Sequence, residues 1–281
     1  MQPDIQRKVD DLLPYIKQIA NGRVAVALFG AHAKGVDDAE SDLDIYILIE
    51  DPKTQNEIKN ILSAVADAGT LRVDEHFDNP VYGGAVTYKY GGMPVEMDMQ
   101  RFAFVEARVA DCLEGVFQII PQTWTSNGYY TYTCLNELRT MAPVWDPDGV
   151  IAGYKSRVST YPVKLKRSIV DVFLRRAGTW MGNFHYETAI RRGDYLFTAP
   201  AVMHTVLDMA QVILALNESY FQGDKKLLRS LAAQPYCPAG LLTGLPMLLC
   251  VSDDAAMLEQ QYTLLKTIYA DIRKRVSGLS A

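Results

Sequence analysis

Phe29-Gly30-Ala31-His32-Ala33-Lys34-Gly35, followed by Glu40-Ser41-Asp42-Leu43-Asp44-Ile45-Tyr46-Ile47-Leu48-Ile49, is the stretch on which the fold turns. Arg23 to Phe29 is a short apolar run that stops at Gly30, and Leu43 to Ile49 is a second that stops at Glu50-Asp51-Pro52. Both have the length and β-branched content of buried strands. Side chains two apart on a strand leave the same face, so Asp42 and Asp44 aim together while Leu43 and Ile45 enter the opposite, buried face. Two carboxylates held this close repel unless a cation lies between them, and hard oxygen ligands beside open positions suit Mg²⁺ carrying a nucleoside triphosphate. Gly30 has no Cβ, so phosphate oxygens can approach the chain there, and the residues after it can open a short helix with free N–H groups.

Working outward, Asp4 to Ala20 repeats apolar residues at helical spacing and stops at Asn21-Gly22, and Asn56 to Ala68 has the same spacing. Strand-like runs follow at Leu71–Phe77, Ala85–Tyr90 and Pro94–Met99, with Gly91-Gly92 marking a hairpin between the last two. In the last run Glu96 and Asp98 alternate with apolar residues and share a face, so either supplies a third carboxylate. Glu96 is favoured, as a ligand or as the base that takes a proton from an attacking hydroxyl.

From Tyr129 onward helical periodicity takes over, with helices expected over about Tyr129–Met141, Val150–Ser159, Val163–Arg191, Leu196–Glu218, Lys225–Ala233 and Ala255–Val276. The expected architecture is therefore α+β: a mixed-sheet domain over residues 1–120, then an all-α domain over 121–281 with no sheet of its own.

The glycine turn and Asp-x-Asp together resemble the signature of polymerase β superfamily nucleotidyltransferases, above all the bacterial branch of aminoglycoside adenylyltransferase-like enzymes with a helical C-terminal domain. The resemblance implies that Gly30 binds the triphosphate, that Asp42 and Asp44 bind Mg²⁺, and that Glu96 or Asp98 completes the metal site. Ala31 and Ser41 stand in the same motif beside the nucleotide, Lys34 is read from its charge as a complement to phosphate, and the resemblance suggests that Lys225 or Lys226 reaches the triphosphate. One departure stands out: the family's serine after the glycine is here Ala31, which removes a phosphate hydrogen bond worth about 1–3 kcal/mol. The implied reaction moves a nucleoside monophosphate, AMP from ATP before other nucleotides, onto a hydroxyl of a small acceptor held between the domains, releasing pyrophosphate. The alternatives are a tRNA or protein acceptor, or an inactive nucleotide-binding regulator.

Composition sets few further limits. With 28 Lys and Arg against 33 Asp and Glu among 281 residues, nothing global points to nucleic acid or a membrane surface. Locally, Lys155 to Arg192 holds nine basic and two acidic residues, a candidate anion-binding face. His32 reads as an exposed loop residue. Cys112, Cys134, Cys237 and Cys250 form no paired motif and read as free thiols. No secretory signal is evident, no apolar run approaches the ~20 residues of a membrane span, and a cytoplasmic setting is expected.

Overall fold

The computed structural model describes residues 3–74, 79 and 81–278. The chain forms two compact units, one of residues 1–111 and 134–160, the other of 112–133 and 161–281. A single boundary at residue 120 is thus replaced by a chain that leaves the first unit, returns to it, and leaves again. The return is made because a segment after residue 133 adds a strand to the first unit's sheet.

In the first unit, helix α1 (Pro3–Ile16) precedes strand β1 (Ala20–Leu28), the one-turn helix α2 (Gly30–Lys34), strand β2 (Leu43–Pro52) and helix α3 (Gln55–Leu62). Strands β3 (Arg72–Val73), β4 (Gly84–Tyr90) and β5 (Met93–Arg101) follow, then helix α4 (Phe102–Leu113). The strand expected over Leu71–Phe77 is seen only as β3, and its positions 75–78 lie outside the described residues. Strands β6 (Ile119–Ile120) and β7 (Tyr129–Tyr130) belong to the second unit, whereas helix α5 (Thr133–Thr140), strand β8 (Ala142–Trp145) and helix α6 (Val150–Arg157) belong almost wholly to the first.

The sheet order is β3-β4-β5-β2-β1-β8, and β2–β5 is its one parallel pairing among the described strands. Alternation explains its layering. Leu43, Ile45, Ile47 and Ile49 of β2, with Val95, Met97 and Met99 of β5, share an apolar cluster with Ile5, Val9, Leu12 and Ile16 of α1 and Ile58 and Leu62 of α3. The intervening positions leave the other face. There Tyr46 and Leu48 are buried as well, while Asp42, Asp44 and Glu96, at one end of the sheet, are half-buried. The β4–β5 hairpin turns at Gly91-Gly92, both at positive φ (56° and 81°), and the Asp67 carboxylate accepts hydrogen bonds from their N–H groups at 3.0 and 2.8 Å.

The second unit is built on helices α7 (Val163–Ala177), α8 (Phe184–Arg191), α9 (Tyr195–Leu216), α10 (Leu227–Ala232), α11 (Leu241–Leu248) and α12 (Ala255–Ser277). It also holds the two-stranded β6–β7 ribbon, contrary to the expectation of no sheet. Tyr129 and Tyr130, expected to begin a helix, pair instead with Ile120 and Ile119. The helix expected over Val163–Arg191 breaks after Ala177, and α8 restarts where the Asn183 side chain accepts from the N–H groups of His185 and Tyr186.

Two other expectations are corrected here. By length and composition the 22-residue α9 does pass as a membrane span, but 72% of its apolar window is buried inside the protein, as suits the central helix of a bundle. The basic stretch from Lys155 to Arg192 is not one free face: Arg157, Lys164, Lys166, Arg175 and Arg176 pair with Glu106, Glu114, Glu218, Asp171 and Asp208.

Candidate functional site

The parallel register sets Asp44 directly beside Glu96, and Tyr46 beside Asp98. Adjacent strands lie about 4.8 Å apart, so the Asp44 and Glu96 side chains rise together from one row, with Asp42 a step nearer the open end. Asp42, Asp44 and Glu96, all half-buried, each offer an oxygen within 4.8 Å of the others. Asp98 is not in this group: two residues along β5, it sits about 7 Å deeper in the sheet.

That depth has an electrostatic consequence. Burial, then Glu96, Glu137 and Asp44, hold the Asp98 carboxyl well above the usual carboxylate range. Glu137 on α5 is pushed up by burial too, opposed by the charges of Arg108 and Lys34. Sequence reasoning did not find Glu137 or Arg108. Neither stands in a motif, and only the return of the chain through α5 brings Glu137 to this face.

Gly30 closes the site on the β1 side. Its φ is +64°, and a Cβ built there would lie 1.6 Å from Asp44 Oδ2 and 2.6 Å from Asp44 Cγ. The glycine is therefore required by a carboxylate as well as by the turn: it leaves the room in which Asp44 stands. The Phe29 N–H donates to the Asp44 carbonyl at 3.1 Å, which ties this turn to β2.

Ala31 follows on α2 with no hydroxyl to offer, and Lys34 is exposed on the same turn of helix. His32 is not exposed: its side chain is 6% accessible, Nδ1 lies 3.4 Å from Asp37 Oδ2, and Nε2 is buried without a hydrogen-bond partner. Ser41 Oγ donates to Asp38 Oδ1 at 3.0 Å and accepts from the Asp38 N–H at 2.9 Å, so its hydroxyl closes the turn into β2. Lys225 and Lys226 lie in the second unit, at the turn entering α10, where Lys226 has φ +64°.

The donor set fits a hard divalent cation: three carboxylates, no nitrogen or sulfur ligand, and a backbone turn without a Cβ alongside. Three carboxylates this close are mutually repulsive, and a cation among them removes that cost. The arrangement is one that can hold such a cation.

Comparison with known proteins agrees with this geometry. Residues 9–87 match the family described as nucleotidyltransferase domain, which belongs to the polymerase β superfamily. Gly30, Asp42 and Asp44 fall within the match, and Glu96 lies beyond it. No protein of curated function matches the chain. Among solved structures, a nucleotidyltransferase-like protein from Exiguobacterium sibiricum is similar at 10% identity and TM-score 0.47, covering 95% of this chain and 74% of its own. A CCA-adding enzyme in complex with ATP is similar at 14% identity and TM-score 0.31, over 99% and 84%. The STING-associated CdnE c-di-GMP synthase from Capnocytophaga granulosa is similar at 12% identity and TM-score 0.24, over 97% and 83%. At such scores these likenesses add nothing to the chemistry of the site.

Proposed function

We propose that the protein is a Mg²⁺-dependent nucleotidyltransferase that moves a nucleoside monophosphate, AMP from ATP, onto a hydroxyl of a small-molecule acceptor. The observation that carries this reading is the convergence of Asp42, Asp44 and Glu96 within 4.8 Å beside the Cβ-free turn at Gly30. The match of residues 9–87, which spans Gly30, Asp42 and Asp44, to a nucleotidyltransferase domain supports it.

Asp42 and Asp44 would hold Mg²⁺, with Glu96 completing the set. Bound there, the ion supplies positive charge against the phosphate oxygens and the leaving group. The turn at Gly30 lets the triphosphate come close to the backbone, while Lys34 adds charge complementarity. Glu96 accepts the proton of the acceptor hydroxyl as its oxygen attacks the α-phosphorus. The bond from that phosphorus to the bridging oxygen breaks, and pyrophosphate leaves in line with the incoming oxygen. Asp98 stands two residues deeper on β5, outside the set.

A second reading rests on Ala31: a nucleotide-binding regulator that retains the site but not turnover. Nucleic acid is the less favoured acceptor, since much of the Lys155–Arg192 basic stretch is engaged in ion pairs. A cytoplasmic setting is part of the proposal and rests on the sequence alone.

The test is thermal stability with each of the four nucleoside triphosphates, with and without Mg²⁺, followed by assay of pyrophosphate release across hydroxyl acceptors. Mg²⁺-dependent stabilisation by one nucleotide, abolished in Asp42→Asn/Asp44→Asn, supports the site, and pyrophosphate release separates enzyme from regulator. Mg²⁺-independent binding, unchanged in the double variant, overturns it.

A further inference from the structure

The register that joins Asp44 to Glu96 continues across the sheet. Glu96 pairs with Thr87 of β4, and Thr87 pairs with Arg72 of β3, so Asp44, Glu96, Thr87 and Arg72 form one row on one face. Lys89, two residues from Thr87, leaves the same face. A cleft of about 390 Å³ lies over this row, lined at one end by Asp42 and Glu96 and at the other by Thr87, Lys89, Arg72 and Thr70. Arg72 and Lys89 are exposed and, among the described residues, take part in no ion pair. Asp67, the acidic residue of the adjoining loop, is turned onto the Gly91 and Gly92 amides instead.

We infer that this cleft receives the acceptor, and that the acceptor is a small hydroxyl compound that also carries a phosphate monoester. The inference rests on the nucleotidyltransferase reading above. The two flanks of the carboxylate cluster differ: the Gly30 turn stands on the β1 side of Asp44, and the cleft opens on the β4 side of Glu96. In-line displacement brings the attacking oxygen in opposite the leaving pyrophosphate, so a donor at the Gly30 turn leaves the Glu96 side to the acceptor. Its hydroxyl lies at Glu96. Two strand spacings, roughly 10 Å of backbone, separate Glu96 from Arg72, a span that accommodates a sugar-sized molecule with its charged group at the far end.

An arginine and a lysine together complement a phosphate monoester, which carries close to two negative charges at neutral pH, and the guanidinium can engage two of its oxygens at once. A polycationic acceptor such as an aminoglycoside meets two like charges at that end of the cleft.

The test uses the full chain with Mg²⁺ and a non-hydrolysable ATP analogue. Ribose 5-phosphate, glucose 6-phosphate, glycerol 3-phosphate and AMP are titrated calorimetrically, each against its dephosphorylated counterpart. At least one phosphorylated compound should bind where its counterpart does not, and Arg72→Gln/Lys89→Gln should raise its Kd about tenfold or more. The analogue's own Kd should stay near the wild-type value. Binding that ignores the phosphate, a double variant that binds as wild type does, or no binding across the panel overturns the inference. A loss of analogue binding in the double variant assigns the cleft to the donor and overturns it as well. Failure of the nucleotidyltransferase reading is seen separately, as analogue binding that does not depend on Mg²⁺, Asp42 and Asp44.

Discussion

Replacing Gly30 with alanine should disable the site through Asp44, and the size of the effect can be worked from the geometry. The new Cβ would lie 1.6 Å from Asp44 Oδ2, 2.6 Å from Cγ and 3.0 Å from Cβ of the same residue. Contacts below 3.0 Å are not tolerated, so the carboxylate must retreat by at least about 1.4 Å. Turning the carboxylate about its own axis cannot suffice, because Cγ itself is in the way; the side chain must change rotamer or α2 must move. Either change takes Asp44 out of a cluster whose oxygens lie within 4.8 Å of one another. Misplacement of a reacting group by ~1 Å can cost about 10²-fold in rate. The φ of +64° adds about 1–2 kcal/mol of backbone strain for a residue with a Cβ. The assay is a pair of titrations, Mg²⁺ alone and Mg²⁺ with ATP, on wild type and Gly30→Ala, with circular dichroism to check that the variant folds. A folded variant that binds Mg²⁺-ATP within a few-fold of wild type would show that Asp44 is not held where this argument requires it.

Other outcomes follow from the same site. Asp44→Asn should abolish the Mg²⁺-dependent stabilisation by nucleotide, a gain of about 2.7 kcal/mol at a hundred times Kd; retention of the shift in thermal melts would exclude Asp44 as a ligand. Ala31→Ser restores a hydroxyl next to the turn and should tighten nucleotide binding by about 5- to 150-fold, the equivalent of about 1–3 kcal/mol, and an unchanged Kd would place the phosphates elsewhere. The raised carboxyl of Asp98 means that the folded state binds its proton more tightly than the unfolded state. Its contribution to stability is then greatest below the unfolded carboxylate range and is lost as pH rises through the folded value. Without Mg²⁺, Asp98→Asn should match wild type near pH 4 in urea denaturation and exceed it near pH 8; parallel curves would contradict the shift. Asn183→Ala removes the cap that restarts α8 and should cost about 1 kcal/mol, measured as a lower urea midpoint.

The α+β class, the order of the first elements, the hairpin at Gly91-Gly92 and the shared face of Asp42 and Asp44 were legible in the sequence. Each rests on local rules: the period of apolar residues, the two-residue alternation of a strand, and the backbone freedom of glycine. Between Glu96 and Asp98 the sequence favoured Glu96 without separating the two, since both leave the same face of β5. The choice is decided by a parallel register with a strand some fifty residues earlier, which puts Glu96 beside Asp44 and Asp98 one step deeper. The burial of His32 against Asp37, the engagement of Ser41 with Asp38, and the pairing of the basic stretch with carboxylates were hidden for the same reason: side-chain partners are chosen in three dimensions. What the sequence determined by itself was which residue types stand at which strand positions; the tertiary structure alone decided which rows those positions form, because register is set by packing the apolar face of the whole sheet. That packing aligned Asp44, Glu96, Thr87 and Arg72 from four strands and brought Glu137 to the same face through a segment that follows an excursion into the other unit.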